Sequence, residues 1–133
     1  MKNTLYVLFA TLMIFSCASP PLDEAQSKAI AEKHLTESSA RFYDGVLQLY
    51  DPAFLESEPA DVKVQKLEKL NDVLGPVEEI KFIQSTDIKE VGVPRQLKLE
   101  YEVRHVNALT KETFIIVEGE GGYKIAAYNV EQL

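Results

Sequence analysis

Apolar and polar positions change their period twice along this chain of 133 residues. Residues Leu5 to Phe15 form an apolar run interrupted only by Thr11. From Asp23 to Gly75 apolar residues recur at helical spacing, and beyond Pro76 they alternate with polar ones, as in half-buried strands. Asp23 stands three residues before Gln26, a variant of the capping box, and Ala29, Ile30, Lys33, His34, Arg41 and Phe42 continue a first helix that Thr36–Ser39 weaken. Asp44-Gly45 reads as a turn. Val46, Leu47, Leu49 and Tyr50 suggest a second short helix, ended by Asp51-Pro52. A third helix starts with Pro59 in its first turn, carries a stripe of Val64, Leu67, Leu70 and Leu74, and closes at Gly75-Pro76.

In the second half Ile80 and Phe82 share one strand face. The stretch QLKLEYEVR then sets Leu97, Leu99, Tyr101 and Val103 inward, against Lys98, Glu100, Glu102 and Arg104 outward. TFIIVEGEGGYKIAAYNV reads as a hairpin turning at Gly119–Gly122. Helices first and a meander afterwards predict an α+β domain, with N-terminal helices packed on a curved antiparallel sheet of about four strands.

The apolar front segment is too short to span a bilayer, which takes roughly 20 residues. Met1-Lys2, the apolar run and the small residues after it have the layout of an export signal. Two outcomes are open. Ser16-Cys17-Ala18 fits ordinary signal cleavage, which would release a secreted or periplasmic protein. Ile14-Phe15-Ser16-Cys17 resembles the lipobox of bacterial lipoproteins, although Phe15 stands where a small residue is usual. On the second reading residues 1–16 are the signal, Cys17 is acylated, 17–22 are a short spacer and 23–133 form one domain. In the sorting logic of such lipoproteins, Ala18 after the cysteine points to the outer membrane, facing the periplasm in a Gram-negative cell. Cys17 is the single cysteine, so no disulfide can form within the chain. The domain is expected to hold together by its apolar core.

A formal charge of −7 and the absence of a basic stripe exclude nucleic acid as an expected partner. Two scattered histidines, His34 and His105, make a poor metal site, and no cofactor motif is present. The GEGG stretch is followed by strand residues and not by a helix, so a hairpin turn accounts for it.

The order of helices, with LYDPAFLE, LNDVLGPVEEI and the closing GGYKIAAYNV, resembles the nuclear transport factor 2-like superfold. The resemblance implies a sheet curved into a cone with a pocket or a packed interior. Phe42, Tyr43, Tyr50, Phe82, Leu99 and Tyr101 are then candidate lining for a small apolar ligand. The final hairpin has apolar residues on both faces by strict alternation. Phe114, Ile116, Ala126 and Tyr128 are therefore the candidate surface for a homodimer or an envelope protein partner. The expected role is non-catalytic binding at a membrane surface. The alternative is a lyase- or isomerase-type enzyme working in the cone, with Tyr43, Tyr101 and His34 as its first suspects.

Overall fold

The computed structural model describes residues 20–133, so the signal and the acylation site proposed at Cys17 lie outside the described residues. Four helices precede four strands: α1 (Glu24–Ser39), α2 (Tyr43–Leu47), α3 (Pro52–Glu56), α4 (Ala60–Leu74), β1 (Val77–Ile88), β2 (Gln96–His105), β3 (Leu109–Gly119) and β4 (Gly122–Gln132). The strands pair antiparallel in the order β1-β2-β3-β4, an open meander carrying the helices on one face. This is the α+β arrangement that the change of period predicts. Among the described residues no helix is long and apolar enough to cross a membrane.

Asp23 caps α1, its carboxylate accepting from the Gln26 backbone N–H at 2.8 Å. Just before it Leu22, expected in the spacer, is buried in the core, so the folded domain begins one residue earlier than the pattern suggests. The helix runs through Thr36–Ser39 without a break, and apart from Leu35 its buried face consists of small or hydrogen-bonding residues: Ser27, Ala31, His34 and Ser38. Replacing Asp23 by alanine removes the cap and is expected to cost about 1 kcal/mol. Urea unfolding checks this as a lower midpoint at unchanged slope.

Two local readings are corrected. Asp44-Gly45 is not a turn but lies inside α2, where the missing Cβ leaves room for neighbouring side chains. An added Cβ at Gly45 would stand 2.5 Å from the Phe42 ring. Asp51-Pro52 does not stop a helix but starts α3, with Asp51 accepting from the Ala53 N–H at 3.2 Å and Pro52 in the first turn, where a missing N–H costs nothing. At the other end of the helical half, Gly75 closes α4 with φ of 77°.

Leu97, Leu99, Tyr101 and Val103 of β2 are buried on the helix-facing side as their alternation predicts. β4 departs from strict alternation. Ile116 pairs with Ile125 while Ile115 pairs with Ala127, so Ala126 is an extra residue, a β-bulge. The bulge resets the phase, and Tyr128 returns to the inner face with Tyr123 and Ile125.

This removes the expected partner surface. Phe114 and Ile116 are fully buried core residues, Tyr128 faces them, and Ala126 sits in the bulge. The outer face of the sheet is instead laced by charge. Glu100, for example, accepts from Gln84 and pairs with Lys111 at 3.0 Å and Lys98 at 3.9 Å.

Candidate functional site

Tyr50 follows α2, and a parallel bridge ties this segment to β4: Ile125 N–H donates to the Leu49 carbonyl and Asp51 N–H to the Ile125 carbonyl, both at 2.8 Å. The bridge fixes the Tyr50 ring beside Tyr128, which the bulge has turned inward. Above these two rings, α3 supplies Phe54. From α4, the residues at positions i, i+3, i+4 and i+7, namely Lys63, Lys66, Leu67 and Leu70, close the space. The result is a cavity of about 310 Å³, with Glu58 at its edge.

Its cationic end is unusual. The Lys63 side chain is only 4% exposed, yet it carries an ammonium group. That group donates to Ser57 Oγ at 3.0 Å, meets Glu58 at 3.4 Å and lies 4.2 Å from the centroid of the Phe54 ring. Lys66, which is exposed, pairs with the same Glu58 at 2.6 Å. Two ammonium groups share one carboxylate, so this edge carries a net positive charge. The hydrogen bond from Lys66, followed by its charge and the contacts from Lys63, outweighs desolvation and holds the Glu58 carboxyl below the usual range.

Beneath the tyrosine floor lies a buried polar chain. The Tyr50 hydroxyl and His34 Nε2 are 2.8 Å apart, and the His34 ring sits 4.4 Å from the Tyr128 ring. Tyr128 donates its hydroxyl hydrogen to Glu112 Oε1. The other oxygen of Glu112 accepts from Thr110 Oγ1 and from His105 Nε2, each at 2.8 Å. Since His105 Nδ1 faces the Gly75 carbonyl at 3.2 Å, both ring nitrogens face acceptors, and the ring is an imidazolium.

The titration tendencies agree with that assignment. Burial alone would lower the pKa of His105, but the hydrogen bond and charge of Glu112 outweigh it and raise it. For Glu112 burial works upward and is outweighed by the hydrogen bonds from His105, Tyr128 and Thr110, so the carboxylate stays ionised. His34 behaves oppositely: burial pushes it down to about 4 against a smaller upward pull from Glu112, and the ring is neutral. Burial and the nearby charge of Glu112 raise Tyr128 well above the usual phenol range.

These states define what the cluster does. Glu112 is a weak base with both oxygens occupied, Tyr128 holds its proton firmly, and His34 is enclosed. A proton transfer at neutral pH needs a group poised near that pH and within reach of a substrate. The cluster has the character of a polar core that fixes Tyr50 and Tyr128 as the cavity floor: both oxygens of Glu112 are occupied, while His34 Nδ1 is buried without a partner.

The residues expected at a site are scattered. Of the six proposed lining residues only Tyr50 borders this cavity. Leu99 and Tyr101 are fully buried, and Phe82 packs edge-on against Tyr101 at 5.5 Å with Lys28 over its ring. Phe42 is exposed, and the Tyr43 hydroxyl accepts from Asn71 at 2.9 Å. The three catalytic suspects do not form one site, since Tyr43 faces Asn71 while His34 and Tyr101 are enclosed, each edge-on to the Phe114 ring. Sequence reasoning missed Glu112, although its parity with Phe114 and Ile116 marks it as inward-facing. It also missed Lys63, although this residue stands four and seven positions before Leu67 and Leu70 and so shares the buried face of their stripe.

No family model matches the chain, and no curated protein matches it. Solved structures do. The proposed dehydratase of the NTF2-like family from Streptomyces avermitilis superposes with a TM-score of 0.55 at 9% identity, over 82% of this chain and 94% of that one. The fold is nuclear transport factor 2-like. The proposed calcium/calmodulin-dependent protein kinase type II association domain from Thiobacillus denitrificans matches with a TM-score of 0.55 at 8% identity, over 80% of this chain and 94% of that one. Bd1075 of Bdellovibrio bacteriovorus gives 0.55 at 10% identity over 82% of this chain, which spans 40% of that longer protein. At such identities the likeness is one of fold. One neighbour is described as a dehydratase and another as an association domain, so function rests on the site itself.

Proposed function

We propose that this protein is a cell-envelope lipoprotein, anchored through Cys17, whose nuclear transport factor 2-like domain binds a small, mainly apolar ligand without transforming it. The observation that carries the binding half is the cavity over Tyr50 and Tyr128. Its aromatic floor and leucine wall suit an apolar body, while Lys63 and Lys66 face the polar end with net positive charge. At about 310 Å³ it stands at the small end of the range of roughly 300–1,000 Å³ typical of ligand sites. The anchor half rests on the lipobox-like Ile14–Cys17, and with Ala18 next in line it favours the outer membrane facing the periplasm.

A ligand with an aromatic body and one acidic group fits these walls. Titration with 1-anilinonaphthalene-8-sulfonate, which has both features, is expected to show saturable enhancement of its fluorescence. Leu70→Trp, which fills the cavity from α4, is expected to weaken binding roughly tenfold, the equivalent of one lost apolar contact. Unchanged binding in Leu70→Trp, or no saturable binding to the native protein, would place the ligand reading in error. Native mass spectrometry of gently purified protein provides the complementary test, an extra mass that survives desalting.

A further inference from the structure

Both ends of the sheet expose valines, and the start of the chain distinguishes between them. At one end, the loop joining β1 and β2 presents Val91 fully exposed and Val93 at 44%. The turn is closed by the Val93 N–H donating to the Glu90 carbonyl at 3.3 Å, and Gly92 at its tip has φ of 79° with open space around it. At the other end, Val73 and Val106 are 69% and 55% exposed near the β2–β3 turn.

The N-terminus leaves the domain at the Val91 end. Asp23 N–H donates to the Tyr123 hydroxyl at 2.8 Å, one residue into β4, and Glu24 accepts from Ser85 at 3.1 Å, near the close of β1. α1 then runs away from this end, and Ser39 at its far terminus accepts from the Val77 N–H where β1 starts. Sixteen helical residues put about 24 Å between the two ends.

We propose that the β1–β2 loop is a second membrane contact, with Val91 and Val93 dipping into the lipid surface that holds the anchor. The proposal rests on the reading of Cys17 as the acylated residue. Ala18–Leu22 span less than ~20 Å even fully extended, so the end where α1 begins lies against the bilayer and the end bearing Val106 lies beyond its reach. The loop's own charges are balanced: Asp87 pairs with Arg95 and, at 3.9 Å, with Lys89, and Glu90 offsets the remaining unit. Glu118 near the end of β3 and Glu120 in the turn after it add negative charge at this end. The surface that fits is therefore zwitterionic lipid, held by apolar contact and not by attraction to anionic headgroups.

The chain has no tryptophan, so one introduced residue reports its own surroundings. Full-length Val91→Trp and Val106→Trp proteins, produced by an exporting host, are reconstituted into phosphatidylcholine vesicles with and without brominated acyl chains. The Val91→Trp emission is expected to shift to the blue and to lose most of its intensity to brominated lipid, whereas the Val106→Trp emission stays that of a water-exposed indole. Acylated, vesicle-bound Val91→Trp protein that is indifferent to brominated lipid overturns the loop contact and leaves the anchor standing. A protein without acyl mass at Cys17 that stays in the aqueous phase on flotation overturns the anchor, and the loop contact with it.

Discussion

Glu112→Ala is expected to destabilise the domain by about 3–5 kcal/mol, the cost of removing one partner from a buried ion pair. The side chain is 1% exposed, and its loss leaves the His105 imidazolium and Tyr128 facing an empty space, while Thr110 keeps only the Val103 carbonyl at 3.3 Å. Set against a typical domain stability of about 5–15 kcal/mol, the variant stands close to the limit of folding. Glu112→Gln keeps the shape and one acceptor but loses the charge, so it is expected to fold and to cost less. Urea unfolding of the native protein and the glutamine variant across pH then isolates the ion pair. The folded pKa of His105 is raised, so its contribution is fully present below its ordinary value of about 6.5 and is lost as pH rises through the raised value. Glu112 is lowered, so its contribution is present above the ordinary carboxylate value of about 4.3 and is lost as pH falls through the lowered one. The difference between the two proteins should therefore peak between those ordinary values and shrink on both sides. A difference that is flat with pH, or an alanine variant within 1 kcal/mol of native, would contradict the imidazolium–carboxylate assignment.

What the amino-acid pattern discloses here follows how strongly each position depends on its immediate neighbours. Strand β2 is legible because four apolar residues alternate with four charged ones over an unbroken ladder. Parity fails in β4 because one extra residue at Ala126 reverses it, and nothing in Tyr-Lys-Ile-Ala-Ala-Tyr marks which residue is the extra one. The first helix is hard to read for a different reason. Ser27, His34 and Ser38 look polar, but each is buried, and Ser27 and His34 meet hydrogen-bond partners within the fold. Asp51-Pro52 signals a boundary correctly, but its chemistry serves a helix start as well as a stop. The site suffers most: Lys63 shares the helical face of Leu67 and Leu70, but what its ammonium group meets there, Ser57, Glu58 and Phe54, shows only once α3 is placed beside α4. Glu112 was within reach of the pattern, having the parity of Phe114 and Ile116. The contacts that keep it ionised come from residues 2, 7 and 16 positions away.

Phe114→Ala is expected to cost about 3–5 kcal/mol, since the ring is wholly buried and the space it vacates cannot be refilled by its rigid neighbours. It stands at the centre of the aromatic core: stacked on Tyr128 at 4.9 Å, edge-on to Tyr101 at 5.9 Å and to His34 at 5.2 Å. Phe114→Leu fills most of that volume and should recover the greater part of the loss, which separates the cavity from any backbone disturbance. A distinctive consequence concerns Tyr128, which Phe114 supports from one side and Glu112 holds through its hydroxyl. Either change frees the same tyrosine, so Phe114→Ala and Glu112→Gln together should cost less than their sum, a coupling detectable by a double-mutant cycle in urea. The Phe114→Leu protein also tests the floor itself. If Tyr128 is positioned by packing as well as by its hydrogen bond, binding of the anilinonaphthalene probe should weaken even where the domain remains folded. Strict additivity, with probe binding unchanged, would show that Glu112 alone holds the floor of the cavity in place.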